Sequence, residues 1–251
     1  FTIRVKTMTK NVHSRYAPVL PSAAWQMVEL LGKLRKDGIV QIPGFYEDII
    51  PATEEENAIL NAGPNVDEAL KKTYGTYPVY DKKTGYYATL NNQPTFNISG
   101  VFSGFTGEGG ATVLPSKATA KIDMRLVVAQ SGEKILGQLK DYIRTLGYDN
   151  VEVVCRGITD PAKTSIHTPY LPVIQKAVNG IFGSSLIYPN RPSTAPDYLW
   201  TNILGLPTIQ VRWCDFDSDN HAPNEHLSVE NYLRGIALTA SALMEIGTAE
   251  L

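Results

Sequence analysis

The 251-residue sequence predicts an α/β protein in two parts. The first is a ferredoxin-like β-α-β-β-α-β unit over residues 1–158, and the second an alternating helix–strand segment over 159–251. Three observations carry this. FTIRVKTM, at the start, alternates apolar and polar residues as a half-buried strand does. Two amphipathic helical stretches, each behind a serine cap, flank a pair of β-rich runs. Beyond residue 158 the texture changes to helix and strand in alternation, the signature of a parallel sheet.

Residues 2–8 read as the first strand, with Ile3 and Val5 on one face. Ser22 is a good N-cap for a helix over 23–36. Trp25, Val28, Leu31 and Leu34 share a stripe there, and Glu29–Lys33 is a supportive i,i+4 pair. Residues 44–93 form a polar insertion rich in Tyr and Gly, too long for a bare loop. Within it, Thr53 and Glu56 compose a capping box, and a second short helix spans Asp67 to Thr73. The runs 94–104 and 111–127, separated by Gly-rich turn residues, predict a hairpin. Ser131 caps the next helix, which carries Leu136, Leu139, Ile143 and Leu146 and ends at Gly147. Residues 151–157 supply the fourth strand, completing the ferredoxin-like order.

In the second part, TPYLPVIQKAVNGIFG and DYLWTNILG read as helices, and SLIYP and PTIQVRWC as strands, the latter buried. A long helix from Ser228 to about Gly247 shows Val229, Leu233, Ile236, Ala240 and Leu243 along one face. Two parallel strands buried on both faces make no stable domain, so something further must complete that sheet. The opening at Phe1, directly on a strand and without an initiator Met, agrees with a piece of something longer.

Composition narrows the function. Lys and Arg number 23 against 25 Asp and Glu, so the basic excess of a nucleic-acid footprint is missing. No apolar run approaches the roughly 18 residues of a membrane span. Cys155 and Cys214 are too few for a disulfide framework or a thiolate zinc cluster, and read as reduced, buried thiols of a cytoplasmic protein.

The densest polar cluster is CDFDSDNHAPNEH, 214–226, just past the expected buried strand, where open α/β sheets place ligands and metals. Asp215, Asp217, Asp219, His221, Glu225 and His226 are all metal-competent, but a solvated acidic loop with a helix cap fits as well. His13, at the end of the first strand, is either a capping residue or a chemical one. Arg125, alternating with apolar residues in KIDMRLV, needs a carboxylate, whether a structural one such as Asp123 or a substrate's. RPSTAPD, 191–197, opens a helix whose N-terminus favours anions, and is equally a plain turn.

Taken together, HSRYAPVLPSAAWQMVELLGKL, IPGFYEDI, PTFNISGVFSGFTGEGGATVLPSKATAKIDMRLV, ILGLPTIQVRW and HAPNEHLSVENYLRGI resemble, in order, the dinuclear zinc peptidases of the aminoacylase, carboxypeptidase G, succinyl-diaminopimelate desuccinylase and carnosine dipeptidase group. The dipeptidase branch is the most similar. The resemblance implies a lid that makes a homodimer, joined to the C-terminal part of a metallopeptidase catalytic domain, with the N-terminal catalytic half lying outside these residues. That half carries the family's H-x-D motif and its general-base glutamate, neither of which is found here. By position the resemblance implies His221 as a metal ligand and His13 as an oxyanion donor reaching across the dimer. It also implies Arg125, Thr112 and Asn97 as lid contacts to substrate. Arg191 and Thr194 correspond to a substrate loop that here lacks its double Gly. The implied cofactor is two zinc ions per site, with cobalt or manganese as alternatives. The implied substrate is a small peptide or N-acyl amino acid, and the implied activity of the chain alone is none. A non-catalytic dimerisation or binding module derived from this family is the alternative.

Overall fold

A computed structural model describes residues 1–215 and 217–250. Contacts divide the chain into two compact units: 1–50 with 93–161, and 51–92 with the residues from 162 onward. The insertion, placed with the lid by its sequence position, therefore groups from residue 51 with the C-terminal segment.

In chain order the elements are strands β1 (Thr2–Lys6) and β2 (Val12–His13), helix α1 (Ala23–Leu34), the short strands β3 (Arg35–Lys36) and β4 (Ile39–Val40), and helices α2 (Glu54–Asn61), α3 (Asp67–Tyr74) and α4 (Tyr86–Asn92). They continue with β5 (Thr95–Ser103), β6 (Val113–Leu114), β7 (Lys117–Arg125), α5 (Gly132–Thr145), β8 (Val151–Val154), α6 (Tyr170–Phe182) and α7 (Val229–Thr248).

The first unit is the expected ferredoxin-like domain. Its sheet runs β5-β7-β1-β8, antiparallel throughout. Period-2 alternation sends Ile3, Val5, Ala118, Ala120 and Ile122 to one face. Met27, Leu30 and Leu34 of α1 and Ile135, Leu139 and Ile143 of α5 cover that face in one core. Ser22 and Ser131 cap the two helices through their hydroxyls. On α1 the buried stripe is Ala23, Met27, Leu30, Leu31 and Leu34. Trp25 and Val28, placed on that stripe from the sequence, are exposed, because the face turned to the sheet is centred about one residue away. Lys33 donates to the Tyr148 hydroxyl at 3.0 Å.

The second unit departs further from expectation. Residues 185–189 and 207–214 form no ladder, and the latter are exposed or half-buried rather than buried. A strand needs a neighbouring strand to pair its N–H and C=O groups, and among the described residues none lies beside either segment; the Thr208 amide donates instead to the Thr164 hydroxyl at 2.8 Å. Residues 199–203 form a single π turn. Helix α7 starts where expected, with Ser228 as its N-cap, and packs on α6; its buried residues are Gly235 and Leu238. A Cβ on Gly235 would collide with the Trp213 indole, so that ring lies across the helix only because the position is glycine. Val229, Leu233, Ile236 and Leu243, the expected apolar face, are all exposed.

The total exposed area is consistent with uncovered surface. Two separate compact units sharing this mass would expose about 13,000 Å². The chain exposes 16023 Å². The thiols are free, with Cys155 half-buried and Cys214 exposed, which corrects the expectation that both are buried. No helix among the described residues is long and apolar enough to cross a membrane.

Candidate functional site

Within the first unit, the expected site residues fall into two groups. Strands β2 and β6 pair His13 with Val113, and the Ser14 amide donates to the Thr112 carbonyl at 3.0 Å. His13 and Thr112 are thereby neighbours. His13 also caps the short 3-10 turn Ser14–Tyr16: its Nδ1 accepts the Arg15 amide at 3.1 Å. An Nδ1 that accepts leaves the neutral ring's proton on Nε2. The exposed side of the imidazole therefore presents an N–H donor.

The other group lies where β5 starts and β7 ends. Asn97 donates from Nδ2 to Asp123 Oδ1 at 2.9 Å, and the Arg125 amide donates to Thr95 Oγ1 at 3.0 Å. The Arg125 side chain is exposed.

In the second unit, Arg191 and Thr194 sit on the 191–197 turn. Arg191 Nη2 pairs with Asp197 Oδ2 at 3.1 Å across that turn. Gln210 Nε2 donates to both Asp197 oxygens at 2.8 Å. Asp197 thus joins the ends of a Pro-rich turn, a role its sequence offered only as an Arg–Asp pair bracketing PSTAP.

The 215–226 loop is divided between capping and open side chains. Asp215 accepts the Ser228 amide and hydroxyl and the Asn231 amide group, fixing the start of α7. The Ser228 amide in particular holds the Asp215 carboxyl below its ordinary range. His226 Nδ1 lies 3.0 Å from the Asn224 carbonyl, and His226 Nε2 lies 3.9 Å from Asp217. His221 has a left-handed backbone, φ 63°, in a loop where Asp219 and Asn224 share that conformation.

A zinc centre needs three or four ligands. Among the described residues no three His, Cys, Asp or Glu side chains converge on one point. The residues present therefore do not by themselves fit a metal, and His221 is at most one ligand of a site completed elsewhere.

No local sequence pattern shows how the insertion is held. Lys163 Nζ pairs with Glu56 Oε1 at 2.6 Å, both largely buried. Burial pushes the Glu56 carboxyl up. The Lys163 contact and the Thr53 amide outweigh it and hold the group below its ordinary value. His167 approaches Glu55 at 3.3 Å nearby.

Residues 1–151 match the M20 peptidase dimerisation domain. The chain belongs to that family. It is 25% identical to the Beta-Ala-His dipeptidase of Rattus norvegicus, over 98% of this chain and 52% of that protein. It is 24% identical to a Cys-Gly metallodipeptidase of Schizosaccharomyces pombe, over 99% of this chain and 54% of that one. Among solved structures, an M20 family metallo-carboxypeptidase from Sulfolobus solfataricus superposes with a TM-score of 0.90 at 29% identity, over 96% of this chain and 56% of the other. The chain spans about half the length of the curated relatives it matches.

Proposed function

We propose that the intact protein is a metal-dependent hydrolase of peptide or N-acyl amide bonds, close to the dipeptidases, and that this chain is its dimerisation lid plus the C-terminal part of its catalytic domain. The observation that carries the reading is the extent of the likeness. A metallo-carboxypeptidase matches 96% of the chain at 29% identity, so the likeness extends over both units.

In this reading the protein is a cytoplasmic homodimer joined through the first unit. The exposed stripe of α7 meets the half of the catalytic domain outside this chain. Zinc, two ions per site, is the metal proposed, with cobalt or manganese as alternatives. His221 is the one ligand this chain gives, and the remaining ligands and the general base come from the other half. Alone, the chain is inactive.

What these residues do follows from their geometry. His13 offers an Nε2–H donor, set by the Arg15 amide, to a carbonyl oxygen as it gains charge; one such donor is typically worth about 10²–10³ in rate. Thr112 stands beside it. Arg125 and Asn97, in this reading, meet the substrate carboxylate or backbone, with Arg191 and Thr194 on a separate loop.

The test is hydrolysis of a dipeptide and N-acyl amino acid panel by the intact, metal-supplemented protein. Cleavage that is lost on chelation and restored by zinc, cobalt or manganese supports the reading. A dimer that binds none of the panel and cleaves nothing favours the non-catalytic dimerisation module. An H-x-D motif and a Glu pair upstream of Phe1 in the full sequence would independently favour the enzyme.

A further inference from the structure

We propose that Asn92 and Tyr87, on the segment inserted into the dimerisation domain, are positioning residues that set where the Arg191 guanidinium meets a substrate carboxylate. This rests on the peptidase reading above and adds to it a role for residues 51–92.

The loop carrying Arg191 is held from both sides. At its start, Asn190 Nδ2 donates to Asn92 Oδ1 at 2.7 Å. Two residues earlier, the Tyr188 ring lies 5.7 Å from the Tyr87 ring, tilted by 51°. At its end, Gln210 grips Asp197, which in turn pairs with Arg191. Arg191 is thus covalently next to the residue that Asn92 holds, and its side chain is about a quarter exposed, within reach of a ligand.

The support is itself anchored. Tyr87 donates its hydroxyl to the Pro64 carbonyl at 3.1 Å, and its ring fills the space beside Gly63, where a Cβ would strike it. Burial, with Tyr188 adding to it, pushes the Tyr87 phenol up to about 12, so it remains a donor across the working pH range. Asn92 is the last residue of α4, and α4 packs on α2. The Thr53–Glu56 capping box and the Lys163 ion pair then tie α2 to the C-terminal segment. An amide pair and a ring contact placed one and three residues from a cationic side chain fix its backbone without touching what it binds. A bidentate arginine–carboxylate contact tolerates little displacement.

The experiment uses the intact, metal-loaded dimer and compares a dipeptide with its C-terminal amide, which lacks the carboxylate. Asn92→Ala should raise KM for the dipeptide about 5–10-fold with kcat within twofold, and leave the amide's KM unchanged. Arg191→Ala should show the same pattern, and adding Asn92→Ala to it should have no further effect. Tyr87→Leu should follow Asn92→Ala, and Asn92→Asp, which keeps the acceptor for Asn190, should restore most of the dipeptide KM. An unchanged KM in Asn92→Ala, an equal rise for dipeptide and amide, or a full further effect in the Arg191→Ala background each overturns the assignment while leaving the peptidase reading in place. Failure of the unmutated dimer to cleave either compound overturns both.

Discussion

His13 and Arg125 stand towards opposite ends of β7, His13 on the separate two-stranded β2–β6 ladder that precedes it. His13 pairs with Val113 on the strand leading into β7, and Arg125 is the last residue of β7. The eight residue steps from Lys117 to Arg125 span about 26 Å at the usual strand rise. A dipeptide reaches only about 7 Å. Both side chains of one chain therefore cannot contact the same small substrate, and a site that uses both must draw them from two subunits. A domain whose family is named for dimerisation has the means to do so.

The Glu56–Lys163 pair should make the second unit acid-sensitive. Its carboxyl lies below its ordinary value in the folded state, so the stabilisation is complete above the unfolded value of about 4.3 and is lost as pH falls through the lowered one. In a Trp25→Phe background, fluorescence reports Trp200 and Trp213 of the second unit alone. Glu56→Gln should flatten the dependence of urea midpoint on pH between about 5 and 3. Lys163→Met should cost about 3 kcal/mol at neutral pH, because it leaves a buried charge unpaired. A pH profile identical in Glu56→Gln would remove the pair from the account.

The first unit should fold without residues 51–92. Its core cluster draws on 1–50 and 93–161 alone. Residues 1–161, with 51–92 replaced by a flexible Gly/Ser linker, should unfold cooperatively. Leu139→Ala in that protein should lower stability by about 2–5 kcal/mol, as expected for a fully buried leucine. Circular dichroism in urea measures both, and a broad, non-cooperative transition in the linker protein would contradict the division.

Legibility followed local physics. The Ser22, Thr53 and Ser131 caps were readable because a cap needs only its own helix. The alternation of Ile3 and Val5 was readable because the sheet they enter is complete within the chain. PTIQVRWC was not, since a buried parallel strand is defined by neighbours, and among the described residues no strand pairs with it. The α7 stripe is apolar, as its spacing predicts, and its large residues are exposed. His13, Thr112 and Arg125 came from motif resemblance, whereas Asp197, Asn92 and Lys163 act through contacts 6, 98 and 107 residues away in sequence, which no local pattern encodes.

His221 should bind metal only in the intact protein. This chain brings no three ligand-type side chains together among its described residues, so zinc titrated into it should bind no tighter than to a His221→Ala variant. In the intact protein the same substitution should lower zinc content by elemental analysis and abolish hydrolysis. Equal zinc content in the two intact proteins would strike His221 from the ligand set.

The test of the two-subunit site is complementation. His13 offers its Nε2–H to an oxygen that gains charge only as the bond breaks, so its effect should fall on the transition state more than on binding. His13→Ala in the intact dimer should lower kcat about 10²-fold with KM, metal content and dimer mass unchanged. His221→Ala should be inactive for a different reason. Mixed and allowed to exchange subunits, the two variants form heterodimers in which one site has His221 from one chain and His13 from the other, while the second site lacks both. With random exchange, half the dimers are mixed and each has one intact site, so activity should return to about a quarter of the unmutated protein's. Differently tagged subunits, purified through both tags, establish that exchange took place. Return of activity in that doubly tagged fraction assigns His13 to the partner's site, and a doubly tagged fraction as inactive as its parents would place His13 in its own subunit's site or outside the chemistry altogether.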